Sequence, residues 1–413
     1  MGGFGNIARA FASRNYRIFV AGNAISLIGT WLQRVAVGWL AWQLTHSGTW
    51  LGLVAFADLF PTVLLSPWAG ALADRRDRVR VIWVSQVISM SQASLLAVLT
   101  AFGVITIWSL FGLTILLGIA NAVSQPARLA LIPSLVERVN LPSAVAINSI
   151  IFNGARFIGP ALAGFIIAEG SVALAFAVNV MTYIAFLVAL AHLVAIKDAP
   201  RRADRSFLRA MAEGYLYAAR HQGIGAMLLL MAVASLGTRG FIELLPGFAD
   251  KVFGRGPQAL AWMMATVGLG AVFGGLWMVR RPAITGLTSV VFANTLLMTA
   301  ALVGFTATAE FWIALPCLGA AGFGLVVSGI GAQTLVQSAV DTAIRGRIMA
   351  LHGMIFRGGP AFGALIMGLF SEQYGLRLPV AAGALLCAVY WLWARLRQSN
   401  VAERLETAEE SAE

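Results

Sequence analysis

Twelve stretches of mostly apolar residues run through this chain, near 18–43, 50–72, 81–102, 108–130, 145–168, 172–195, 224–248, 258–279, 284–306, 311–335, 348–371 and 378–396. Each is long enough to cross a hydrocarbon layer of about 30 Å, which takes roughly 20 residues as a helix. Inside lipid there is no water to bond free N–H and C=O groups, so an apolar segment of this length closes its own hydrogen bonds as a helix. The connections are short and leave no room for a sizeable soluble domain. Composition agrees: 59% of the 413 residues are hydrophobic and 11% charged, with mean hydropathy +0.82. Soluble domains carry about 25% charged residues. The expected fold class is therefore an all-α membrane protein with twelve transmembrane helices.

The net charge of +11 could suggest nucleic acid, but its distribution argues against that partner. With the N-terminus placed in the cytoplasm, 22 of the 29 Lys and Arg residues fall on the cytoplasmic side, counting Arg128 and Arg78 among the loops. Only Lys251, Arg255 and Arg377, 3 residues, fall opposite, and the remaining 4 lie inside spans. Such an asymmetry orients a chain in a membrane, and it expects both termini in the cytoplasm. No cleaved leader is expected, because residues 1–17 lack a short apolar core followed by small residues. Cys317 and Cys387 sit in apolar runs and read as small buried residues. His46, His192, His221 and His352 show no ligand spacing and read as interfacial; no metal site is expected.

The longest connection, 197–223, divides six spans from six. Its first part is a charged, Pro-containing linker, and 207–220 has the spacing of a short amphipathic helix lying on the membrane surface. The expected organisation is a bundle over 1–196, this linker, a bundle over 224–397 and a tail over 398–413. Gly159-Pro160-Ala161-Leu162-Ala163-Gly164 in the fifth span has a counterpart 200 residues later, Gly359-Pro360-Ala361-Phe362-Gly363-Ala364, in the eleventh. Paired six-helix halves are a mark of many secondary transporters.

The second span ends at Gly70 and runs into Leu72, Asp74, Arg75, Arg76, Asp77, Arg78 and Arg80. A topological signal needs the arginines but not an acid among them. These residues resemble the gate signature of the major facilitator superfamily, G-x-L-a-D-r-x-G-r-k, with Gly70, Leu72, Asp74, Arg75 and Arg78 in place and Asp77 where the family usually has Gly. The resemblance implies that Asp74 pairs across to the start of the eleventh span, where Arg345 and Arg347 are the expected partners and Asp341 a counter-charge. It also implies the fold: two six-helix bundles related by a pseudo-twofold axis, with a rocking, alternating-access cycle. Ala155, Gly159, Pro160, Ala163 and Gly164 resemble the superfamily's antiporter signature with two glycines relaxed to alanine. Gly29 to Gln33, Trp39 to Thr45, Pro126 to Arg128, Pro133 to Val136, Leu244 to Pro246 and Arg345 to Arg347 resemble its enterobactin-exporter branch. The fourth span has Thr114 to Gly118 where many proton-coupled drug exporters have R-x-x-Q-G, so no arginine there can couple protons.

Six charges lie inside spans: Arg34, Asp58, Arg156, Arg239, Glu243 and Arg357. An ionisable group at that depth is costly and marks a cavity or a partner. Asp58, near mid-depth, is the expected proton carrier, with Arg34 as its partner; a fixed structural pair is the alternative. Arg239 and Glu243, four apart, share a helix face, and mutual neutralisation is the alternative to a coupling role. Gln33, Asn148 and Asn153 are candidate cavity-lining polar residues, with Asn23, Asn179, Asn294, Trp31, Phe56 and Phe152 as further members.

The expectation is a secondary active, proton-coupled exporter of amphipathic small molecules, siderophore or drug-like, working as a monomer without cofactor or ATP. An uptake carrier or lipid transporter of the same fold is the alternative. No G-x-x-x-x-G-K-[ST] phosphate loop occurs, and the few scattered acids do not make a metal-assisted enzyme.

Overall fold

The structure is a computed structural model that describes residues 11–194, 207–281, 284–341 and 344–406. Among the described residues, twelve helical segments are long and apolar enough to cross a membrane, as the sequence predicts. The linker residues 197–206 and tail residues 407–413 lie outside the described residues. So do the side chains of Asp74 and Arg75.

The first six spans are α1 (Arg14–Thr45), α2 (Gly48–Arg75), α3 (Arg78–Ala101), α4 (Ile107–Leu135), α5 (Leu141–Glu169) and α6 (Val172–Ala191). The surface helix α7 (Phe207–Arg220) follows, where amphipathic spacing places it. The seventh span is α8 (Gln222–Thr238) and α9 (Phe241–Gly247) in series, finished by a π-helical turn at Phe248–Val252. Then come α10 (Gly256–Val279), α11 (Leu287–Ala307), α12 (Phe311–Ala339), α13 (Arg345–Tyr374), α14 (Arg377–Arg395) and the short α15 (Gln398–Glu406).

Local chemistry sets the helix starts. Asp77 accepts the Arg80 amide at 2.8 Å and caps α3, which gives a task to the acid that departs from the gate signature. Thr106 and Ser109 form a reciprocal capping box on α4. Ser171 accepts the Leu174 amide at the start of α6. Arg128, expected in a loop, lies well inside α4.

Two compact units emerge, one of residues 1–45 with 57–204, the other of 46–56 with 205–413. In the first unit α1 packs on α5 and α6, and α3 packs on α4 and α6. In the second, α8 packs on α13 and α14, and α11 packs on α12 and α14. The same pattern of helix neighbours is thus built twice. The repeated Gly-Pro stretch holds equivalent places in it. A Cβ on Gly159 would come within 2.6 Å of Trp31 Cβ on α1, and one on Gly359 within 2.4 Å of Ser235 Cβ on α8. Only glycine lets these backbones approach so closely.

In the second unit α15 turns back beneath the bundle. Val401 and Leu405 join a core shared with Ile224, Leu287 and Val336. The Glu406 carboxylate accepts the backbone amides of Gly286 at 2.6 Å and Thr288 at 2.8 Å. Gly286, at φ +75°, caps α11 with no side chain of its own, so a carboxylate 120 residues away does that work. On α7, Glu213 pairs with Arg347 of α13.

Candidate functional site

In the first unit the charges of α1, α2 and α5 meet around one indole. Arg34 Nε lies 3.5 Å from Asp58 Oδ2, with side chains 22% and 17% exposed. The Arg34 guanidinium also sits 5.3 Å from the centre of the Trp31 ring, and Arg156 sits 5.5 Å from the same ring. Phe152 meets Trp31 edge-on at 6.1 Å. Helical spacing explains the gathering. Trp31 and Arg34 are three apart on α1, and Phe152 and Arg156 four apart on α5, so each pair shares a face. Gly159, one turn further along α5, brings the two helices close enough for them to meet. The result is a partly buried acid, two guanidiniums and two aromatic rings gathered at one place in the first unit.

Behind it runs a polar seam that sequence inspection saw only in part. Asn179 donates to Gln33 at 2.6 Å, Gln33 donates to Gln92 at 2.8 Å, and Thr182 donates to Asn179 at 2.7 Å. Arg128 donates to Asn23 at 2.9 Å and to Gln86 at 3.0 Å, and Gln86 donates to Ser26 at 2.9 Å. The Arg128 guanidinium lies over Phe186 at 4.9 Å. Gln33, Asn23 and Asn179 are buried and committed to neighbouring helices. The signal for this seam was the spacing Asn23, Ser26, Thr30, Gln33 on α1 and Gln86, Ser89, Gln92 on α3, each a single polar face of an otherwise apolar helix. Asn148 is half-buried, and Asn153 is exposed and bonds back to the Ser149 carbonyl at 2.8 Å.

In the second unit the seventh span does not run straight through Arg239 and Glu243. α8 ends at Thr238, Arg239 forms its cap, and α9 begins at Phe241. The break puts the Arg239 guanidinium 4.6 Å from the centre of the Phe356 ring of α13. His352 stacks on the same Phe356 ring, with planes 15° apart and centroids 6.1 Å apart. Both Arg239 and Arg357 lie within electrostatic reach of His352. Expected as interfacial, His352 is instead 5% exposed inside α13. The histidine falls on the same helical face as Phe356, four residues on, which is why α13 buries both.

Around the gate signature, Arg78 is buried and Gly70 is half-buried. A Cβ on Gly70 would meet nothing within 4 Å. Asp341 accepts the amides of Ile344 and Arg345 through its carbonyl and starts α13, and Arg347 faces Glu213. On α5, Ala155, Gly159, Pro160, Ala163 and Gly164 are all buried in helix packing. Among the described residues no cluster of His, Cys, Asp and Glu is arranged to hold a metal.

Repeated six-helix bundles, apolar throughout and carrying charges inside their spans, define a multi-pass membrane transporter. The family model described as transmembrane secretion effector matches residues 8–411, and the chain belongs to that family, within the major facilitator superfamily. It is 27% identical over 364 residues to the staphyloferrin A transporter of Staphylococcus aureus, covering 87% of this chain and 90% of that one. It is 26% identical over 365 residues to the enterobactin exporter of Escherichia coli, covering 86% and 84%. Its fold matches that of a bacterial homologue of the human lysosomal transporter Spinster, with TM-score 0.73 at 15% identity over 96% of this chain and 99% of that one. The resemblance to the enterobactin-exporter branch is thus borne out, and the chain is a transporter rather than an enzyme.

Proposed function

We propose that this protein is a proton-coupled exporter of amphipathic small molecules, of which iron-chelating siderophores are the first class to test. The observation that carries the reading is the Arg34–Asp58 pair at 3.5 Å, partly buried and set against Trp31 and Arg156. A carboxylate inside a span can hold a proton or a cation partner, and exchanging one for the other is the elementary step of coupled transport. Export moves substrate outward as protons enter. The aromatic rings of Trp31 and Phe152 bind an apolar body, and the guanidiniums bind its acidic groups. Two relatives, the staphyloferrin A transporter and the enterobactin exporter, support that substrate class, and the second supports the direction. The cycle is alternating access in the inner membrane, with both termini in the cytoplasm, by a monomer driven by the proton gradient alone.

The test is flux in inside-out vesicles with an acid interior, carrying the wild type or Asp58→Asn and offered a panel of siderophores and amphipathic drugs. Substrate-dependent proton release in the wild type and its loss in the variant are expected. Uptake that needs no gradient and is equal in both would overturn the proton role. Accumulation only with the gradient reversed would make the protein an uptake carrier.

A further inference from the structure

The second unit has a crevice of about 210 Å³ where α10 ends, lined by Gly275, Met278, Arg281, Ile284, Ile330 and Thr334. None of the residues that carry the transport reading lines it, and an acid close by, Glu406, is held by the backbone amides of Gly286 and Thr288. Its walls are aliphatic except for Thr334 and the guanidinium of Arg281. A Cβ on Gly275 would meet nothing within 4 Å, so the crevice reaches the helix backbone itself. The exposed side of α10 is strongly apolar as well. Phe273 is 63% exposed, Leu276 56% and Val279 81%, and in a membrane-spanning helix such residues face acyl chains.

Arg281 stands two residues beyond the end of α10. Its guanidinium lies 5.9 Å from the Trp277 ring and donates one long bond, 3.4 Å, to the Thr285 carbonyl. No carboxylate lies within ion-pair distance of it among the described residues. The nearby amides of Gly286 and Thr288 are already taken by Glu406, so an incoming anion would fall to Arg281. Trp277 on the same helix is a side chain suited to the headgroup level.

An apolar slot open to lipid, closed at the membrane surface by an arginine with donors to spare, has the form of one phospholipid with an acidic head. We infer that this crevice binds an anionic phospholipid, with an acyl chain against Gly275 and Ile330 and the phosphodiester on Arg281. Charge complementarity selects the headgroup, and the apolar walls exclude a free inorganic phosphate or a peptide.

The test uses Trp277 as the reporter. Full-length protein is reconstituted in phosphatidylcholine vesicles doped with brominated phosphatidylglycerol or, at the same mole fraction, brominated phosphatidylcholine. Quenching assigned to Trp277 is obtained by difference from Trp277→Phe. Phosphatidylglycerol is expected to be preferred by about fivefold, the worth of one arginine near an anionic headgroup. Arg281→Gln should bring the two lipids level. Gly275→Leu, which fills the slot and favours the helix, should reduce the preference while leaving Arg281 in place. Equal quenching by both lipids in the wild type would overturn the inference, as would a preference that survives Arg281→Gln. A preference untouched by Gly275→Leu would show attraction to the charge alone and would also overturn the site.

Discussion

Asn179 gives its side-chain amide to Gln33 at 2.6 Å, and both residues are sealed from solvent between α1 and α6. Gln33 passes its own amide on to Gln92 of α3. Replacing it with leucine strands two partners at once. Gln33→Leu is expected to cost about 1–2 kcal/mol, near the upper end for bonds between helices in a membrane. Thermal unfolding in detergent reads the cost. A melting temperature equal to the wild type would mean that the seam contributes nothing.

Glu406 supplies the cap that Gly286 lacks. Glu406→Ala should weaken the start of α11 by about 1 kcal/mol, the usual cost of losing a cap. Glu406→Gln should retain part of it, since an amide oxygen still accepts. Hydrogen exchange at 286–290 locates the effect, and unchanged protection in Glu406→Ala would refute it.

His221 precedes α8, and its Nδ1 accepts the Ile224 amide at 3.2 Å. Burial first, and then the Arg404 charge, hold its pKa below the ordinary 6.5, although its own backbone pulls the other way. Above 6.5 both folded and unfolded forms are neutral and the group adds no pH dependence. As pH falls below that value the unfolded chain takes up the proton first, so stability declines until the folded pKa is passed. Protonation also removes the capping acceptor. His221→Asn keeps an acceptor and does not titrate, so its melting temperature should fall less than the wild type's between pH 7 and pH 5, values set by the handful of units around a histidine's range.

Gly159 and Gly359 press α5 and α13 against α1 and α8. Gly159→Leu and Gly359→Leu should each destabilise by several kcal/mol, because backbone stands where the side chain must go. Gly154, with nothing within 4 Å of a built Cβ, is the control, and Gly154→Ala should be tolerated. Yield of folded protein from membranes separates the three. Similar yields for Gly159→Leu and Gly154→Ala would contradict the packing seen here.

Hydropathy made the twelve spans legible, and amphipathic spacing placed α7 at residues 207–220 to the residue. The twice-used packing was visible in one Gly-Pro stretch and its copy. Charges were harder. Arg34 and Asp58 were paired correctly because few acids lie within reach of a buried guanidinium. Arg128 was assigned to a loop because it stands near a basic boundary, whereas its amide partners, Asn23 and Gln86, come from helices far away in sequence. The break at Arg239 lies between Gly237 and Gly240, common residues in a membrane span, with no proline nearer than Pro246, and His352 carried no local sign of burial. Tertiary packing decides such positions, and a single sequence displays only the local half of it.

The cap on α11 also bears on how the protein is made. Thr288 leaves the ribosome 118 residues before the carboxylate that will hold its amide. At about 5–20 residues per second that interval is roughly 6–24 s. For all that time the ninth span begins with a glycine and bare amides, and three further spans are inserted beside it. The second bundle therefore reaches its final bonding only after Glu406 has been made, and its earlier intermediates are the ones a membrane quality-control protease would meet with that helix end unprotected.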